Sequence, residues 1–312
     1  MTVRVVTDST ADLPAELVRE LNITVVPAYI GIRGSSYRDG VDISPDEIYR
    51  KLVESDAPIT TSQPTPADFA QAYKHVFKEA DEIVSIQATS RLSGIYQSAV
   101  QAREMVNAKG RIEVVDSASV SMGLGLITIA AARLAKAGIS LSGVLEESHK
   151  AINQVHIWAI FDTLKYVFRG GRLGKASALL GTMLTVKPVL TMKDGVLHPA
   201  GFVRTRARGV EKLLDYVKRF QNVQDIGIVH STTPEEAQTL RCRLSALLDK
   251  NRIYVSRLGP ALGVHGGPGT LILAVRASDT PKTSMEDAIE KARKRIQLPS
   301  FRAPKLNCLP VS

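Results

Sequence analysis

The sequence predicts an α/β protein in two domains, an N-terminal Rossmann-like parallel-sheet domain and a C-terminal α/β domain with a mixed sheet. Three observations predict it. Through the first half, short β-branched runs alternate with helical ones, which implies a parallel sheet with right-handed crossovers. In the second half, Val186 to Met192 and Val196 to Val203 flank Lys193-Asp194-Gly195, which is hairpin chemistry and adds antiparallel pairing. The length of 312 residues exceeds what one hydrophobic core usually organises. The expected division is 1–150 and 151–298, with 299–312 as an extended tail.

Taken in order, Val3-Arg4-Val5-Val6-Thr7 reads as a strand, followed by the polar loop from Asp8 and a helix from Pro14 to Leu21. Ile23 to Ile32 reads as a second strand, Gly34 to Asp46 as a polar turn region, and Pro45 to Glu54 as a helix. Thr65, Pro66 and Asp68 have the pattern of N-cap, N1 and N3 for a helix running to Glu79. Strand Glu82 to Gln87 leads into Ala88 to Gly94, which opens a long helix ending near Gly110. Ile112 to Asp116 is a strand, and an Ala-rich helix from about Met122 to Lys136 is stopped by Gly138. A helix from Leu141 to Asn153 links the halves.

Beyond it come strand Ile157 to Asp162, the hairpin, helix Arg204 to Phe220, strand Asp225 to His230, helix Pro234 to Leu248 and strand Ile253 to Arg257. Gly259 to Gly269 reads as a Gly-rich loop before strand Leu271 to Val275.

With 44% hydrophobic residues but only 5% aromatic ones, the core must be built from Leu, Ile, Val and Ala, which suits α/β packing. Two cysteines, Cys242 and Cys308, make no disulfide framework and point to a reducing cytoplasm. Asp8 comes too early for a signal peptide, and no apolar run approaches ~20 residues, so neither export nor membrane spanning is expected. The net charge of +9 favours anionic partners in general, but no Lys/Arg block with interleaved aromatics is present, which argues against nucleic acid. The six histidines are scattered without ligand spacing, so no metal and no cofactor are expected.

Four hydroxyl-rich segments adjoin strand ends: Asp8-Ser9-Thr10, Thr60-Thr61-Ser62, Ser90-Arg91-Leu92-Ser93-Gly94 and Ser117-Ala118-Ser119. In an open α/β sheet the crevice beyond the carboxyl ends of the strands, where helix N-termini point, suits an anionic head group. Each hydroxyl taken singly is equally a helix cap. On their own these loops say only that an anion binds at helix N-termini.

Val6 to Pro14, Thr61-Ser62-Gln63-Pro64 and Ser90 to Ala99, in that order, resemble the DegV family of fatty-acid-binding proteins. The match continues through Tyr37 to Ser44, Gly170-Gly171-Arg172-Leu173 and Gly259 through His265 to Gly269. The resemblance implies a long-chain fatty acid held between two α/β domains, with no catalysis by the chain itself. It also implies a partner, an ATP-dependent fatty acid kinase that makes acyl phosphate for phospholipid synthesis. The chain has no Gly-x-x-x-x-Gly-Lys-Ser/Thr loop, which agrees with an ATP site on the partner.

Carried over by position, the resemblance puts the fatty-acid site at Thr61, Ser62, Ser93, Gly94, His265 and Arg172. Thr61 and Ser93 hold the carboxylate, Gly94 allows close backbone approach, and a protonated or donor-tautomer His265 completes the network. Arg172 lies near the mouth, where its planar fork suits a carboxylate or acyl phosphate. Ile95 and Val264 depart from the family pattern and bear on pocket shape. Arg204, Arg206 and Arg208 form a basic cluster at a helix start, a candidate surface for the kinase or for transient contact with a membrane. The competing reading is a serine hydrolase acting on acyl esters through Ser93, His265 and Asp116, although Ser93 lacks the Gly-x-Ser-x-Gly elbow.

Overall fold

The computed structural model describes residues 1–54, 58–106, 110–179 and 186–279. Strand β1 (Val3–Asp8) ends where the Asp8 carboxylate turns back to accept the Thr10 N–H at 2.9 Å, winding Ser9–Ala11 into a 3-10 turn. Helix α1 (Ala15–Glu20) follows, and β2 (Thr24–Val26) pairs parallel with β1, Thr24 opposite Val6. The single strand expected over 23–32 is therefore two. Pro27 has no N–H to continue the ladder, and the chain leaves for a separate sheet as β3 (Tyr29–Ile32).

The expected turn region after Gly34 instead begins with a strand, β4 (Ser35–Arg38). Arg33 and Gly34, at φ 50° and 83°, form the two-residue hairpin loop that reverses the chain onto β3. Helix α2 (Pro45–Glu54) starts where Ser44 and Glu47 cap each other's backbone N–H groups.

Next comes an unanticipated strand, β5 (Ile59–Ser62), antiparallel to β3 with Thr61 opposite Ile30. Helix α3 (Pro66–Val76) has the expected capping box, Thr65 and Asp68 satisfying each other's N–H, with Pro66 in the first turn. Strand β6 (Glu82–Gln87) matches its expected bounds, while α4 (Ile95–Met105) starts later than expected and leaves 88–94 as an irregular loop. With β7 (Arg111–Asp116) the parallel sheet is complete in the order β2-β1-β6-β7.

Helices α5 (Ser121–Lys136) and α6 (Leu141–Gln154) lead to the second sheet. Its elements are β8 (Val155–Ile160), α7 (Lys165–Arg169), β9 (Lys187–Lys193), β10 (Val196–Val203), α8 (Arg206–Val217), β11 (Val223–His230), α9 (Pro234–Leu244) and β12 (Ile253–Arg257). Then come α10 (Pro260–Gly266) and β13 (Leu271–Ala277). The order is β10-β9-β8-β13-β11-β12, antiparallel except for β11 with β12, which is the expected mixed sheet. The anticipated hairpin closes through Asp194 and Gly195, both at positive φ. The segment from Gly259 is not the loop expected. Its glycines lower helix propensity, but Pro260 in the first turn presets φ, and burial of Ala261 and Val264 holds the helix.

The two sheets sandwich α5. This helix touches β1 and β6 on one side and β8, β11 and β13 on the other, so it is buried almost all round. At Gly123 a Cβ would stand 2.2 Å from the Ile157 side chain, so the missing side chain sets how near β8 approaches. One continuous apolar core therefore runs from Val6 and Ile86 through Leu126 to Ile157 and Ala274. A second, around Trp158, Leu213, Tyr216 and Leu240, lies within the C-terminal half. Cys242 lies on α9, as expected; Cys308 and the tail lie outside the described residues.

Candidate functional site

A cavity of about 150 Å³ opens between the loops above the parallel sheet and the facing side of the mixed sheet. Its wall is mainly apolar, with Ala28, Ala88 and Ile95 from the first half and Ile157, Phe161 and Ile272 from the second. Thr61, Ser62, Ser93, Arg172 and His265 all line it. The exposed residues Ser62 and Gln63 mark the mouth. Gly94 is not among the lining residues. A Cβ there would come within 2.5 Å of the Gln63 amide, so Gly94 lets the Gln63 side chain lie against the loop.

Each polar group is placed by its own element. Strand β5 carries Thr61, whose Oγ1 lies 2.8 Å from His265 Nε2. Helix α10 carries His265, and its start is fixed where Asp12 accepts the Gly259 N–H at 2.8 Å. The imidazole lies against Gly170, where a Cβ would fall 2.0 Å from Nδ1. Burial, with the Arg172 cation adding to it, lowers the His265 pKa to about 4, so the ring is neutral at neutral pH. Of the two forms anticipated, the neutral donor tautomer is the one compatible with burial.

Nδ1 is buried without a hydrogen-bond partner. A proton on Nδ1 would orphan a donor and make Thr61 donate to Nε2, whereas a proton on Nε2 leaves only an unpaired acceptor, the milder defect. In the Nε2–H form Thr61 accepts from His265 and keeps its own proton for the cavity.

Ser93 Oγ accepts the Ile95 N–H at 3.3 Å and likewise keeps its proton. Arg172 reaches across the mouth, Nε donating to Leu92 O at 3.2 Å and Nη1 to Gly170 O at 2.6 Å, so it ties the segment after α7 to the loop carrying Ser93. The site can thus offer an anion two hydroxyl donors beside a guanidinium, ahead of an apolar chamber.

The hydrolase relay is not assembled. His265 Nε2 pairs with Thr61, Nδ1 has no acid behind it, and the Asp116 carboxylate accepts Ser90 and Ala118 N–H groups instead. Of the basic cluster, Arg206 is held by Glu236 and Asp162, while Arg204 and Arg208 are exposed. Among the described residues no helix is long and apolar enough to cross a membrane, and no group of three His, Cys, Asp or Glu could hold a metal ion. The sequence reading missed Gln63, Gly170 and two buried wall hydroxyls, Ser121 and Thr270, while Thr10, within one of the four hydroxyl-rich segments, lines the cavity as a buried wall residue. Gln63 and Gly170 stood inside quoted motifs, but the packing that gives them roles is tertiary.

A family model described as "Uncharacterised protein, DegV family" matches residues 2–277. The chain belongs to the DegV family. Among DegV relatives, a DegV domain-containing protein from Caldanaerobacter subterraneus is 37% identical over 270 residues, covering 85% of this chain and 95% of its own. A DegV family protein from Thermus thermophilus, whose structure is described as showing fatty acid binding, is 36% identical with a TM-score of 0.82, covering 89% of this chain and 100% of its own. DegV of Bacillus subtilis, described as a fatty acid binding protein, is 29% identical with a TM-score of 0.79, covering 89% and 99%.

Proposed function

We propose that this chain is a non-catalytic carrier that binds a long-chain fatty acid between an N-terminal domain (1–150) and a C-terminal domain (151–298). The carboxylate is held by Thr61 and Ser93, with His265 orienting Thr61 and with Ser62 and Arg172 at the mouth. Gly94 serves the site by seating Gln63. The observation that carries this reading is an apolar chamber whose mouth places the Thr61–His265 pair and Ser93 together. The fatty acid binding described for the Thermus and Bacillus relatives supports it. Burial of the tail, at ~0.8 kcal/mol per CH₂, supplies most of the affinity, and the hydroxyl donors fix which end faces the mouth. In the cytoplasm the carrier presents this carboxylate to an ATP-dependent kinase partner, and the acyl phosphate enters phospholipid synthesis. The exposed Arg204 and Arg208 are candidates for contact with that partner or, transiently, with a membrane surface.

Organic extraction of the purified protein followed by mass spectrometry is expected to yield long-chain fatty acid. The Thr61→Ala, Ser93→Ala double variant is expected to retain far less. Recovery of no fatty acid from the wild type, or undiminished recovery from the double variant, would count against the reading.

The packing of Gly170 adds a second expectation. Gly170→Ala pushes the His265 ring off its seat, and loss of the oriented Thr61 donor is expected to weaken fatty-acid binding about tenfold, the value of one hydrogen bond to a charged group. Titration with a fluorescent fatty acid reads this directly, and an unchanged Kd would dismiss the positioning role.

A further inference from the structure

The cavity carries two kinds of hydroxyl. Those of Thr61 and Ser93 at the mouth keep a proton to donate. Thr10 and Thr270 also line the cavity but are buried, at 6% and 1% exposure, and each commits its proton inside the wall. Thr10 Oγ1 donates to Asp8 Oδ1 at 2.5 Å, and that oxygen also accepts the Thr10 N–H at 2.9 Å. Oδ2 accepts the Ala88 N–H at 2.9 Å, and with three donors converging on the carboxylate Thr10 is the donor of its own bond. Thr270 Oγ1 shares its proton between Gly266 O at 2.8 Å and Gly267 O at 3.0 Å. A hydroxyl in this condition offers the cavity only a lone pair.

We infer that the chamber is built for an acyl chain bearing a hydrogen-bond donor of its own, a hydroxylated long-chain fatty acid, with Thr10 and Thr270 as the acceptors that read its hydroxyl. The inference rests on the fatty-acid reading above and names the substrate class within it. A plain hydrocarbon tail leaves these acceptors without a partner. A chain hydroxyl lying beside them is satisfied, whereas the same hydroxyl lying against Ile157, Phe161 or Ile272 is a buried donor with nothing to receive it, the costlier defect. The position of the hydroxyl along the chain should therefore matter sharply.

The test is displacement of a fluorescent fatty acid from the full-length protein by stearic acid and by a series of monohydroxystearic acids that differ only in the hydroxyl's position. One position, or two adjacent ones, is expected to bind at least as tightly as stearic acid, with the remaining isomers weaker by about tenfold or more. In Thr10→Val and in Thr270→Val, the affinity of the favoured isomer relative to stearic acid in the same variant is expected to fall. Two variants keep the test available if one fails to fold. Equal weakening at every hydroxyl position overturns the inference, as does a favoured isomer whose advantage survives both substitutions; in either case stearic acid still binds and the fatty-acid reading stands. If neither stearic acid nor any hydroxy acid displaces the probe, the fatty-acid reading fails and this inference fails with it.

Discussion

Asp225→Ala is expected to lower the unfolding free energy by about 3–5 kcal/mol, the usual cost of removing one partner from a buried ion cluster. Asp225 on β11 is 1% exposed. Its Oδ1 accepts from Arg133 of α5 at 2.9 Å, from Tyr254 Oη at 3.0 Å and from Arg252 at 3.3 Å, and Arg276 stands 3.9 Å from Oδ2. Arg276 in turn pairs with Glu147 of α6 and donates to Gln154 at 3.2 Å. One carboxylate thus gathers guanidiniums brought from both halves; without it the buried Arg276 loses one of its two carboxylates and the buried Tyr254 hydroxyl loses its acceptor, while Arg133 and Arg252 are partly exposed. Asp225→Asn, which keeps the shape and removes only the charge, should lose much of the same stability. Urea unfolding of the three proteins checks this, and a change below about 1 kcal/mol in the alanine variant would show that the cluster is replaceable.

The second large effect concerns pH. Burial raises the pKa of Asp12 to about 8, with the neighbouring Asp39 and Asp8 charges adding to it against hydrogen bonds from Ser121 and Gly259. Asp39 is raised to about 6 for the same leading reason. A carboxyl group whose folded pKa lies above its unfolded value of 3.8 favours the folded state fully below that value and loses the contribution as pH climbs through about 8. Stability should therefore decline across that window.

Asp12→Asn removes the titration, keeps an acceptor for the Gly259 N–H, and suits the left-handed backbone at φ 50°. The stability difference between the two is expected to shift in the variant's favour by several kcal/mol between about pH 5 and about pH 9. Parallel stability profiles for the two proteins over that range would contradict it.

The elements legible in the sequence are those whose cause is local. β6, β10 and β12 have their expected bounds because each is a short β-rich run between turn residues, and the Thr65 cap and Asp194–Gly195 turn act within a few residues. The small sheet of β4, β3 and β5 escaped because Ser35–Arg38 and Ile59–Ser62 are polar and largely outward-facing, with no apolar alternation to announce a strand. α10 escaped because its glycines obey packing rather than propensity. At the site, Thr61, Ser93, Arg172 and His265 were named from ordered motifs. Their division of labour depends on contacts between residues as far apart as Thr61 and His265, and on a neutral imidazole that only burial produces.

The enclosure of α5 between two sheets bears on how the chain is made. During synthesis the parallel sheet and α5 emerge first, while β8, β11 and β13, which cover the helix's other face, follow later. Until they arrive, that face is a greasy surface open to water and to other nascent chains. The N-terminal half is therefore a half-closed book, and the ligand chamber exists only once the second half has shut against it.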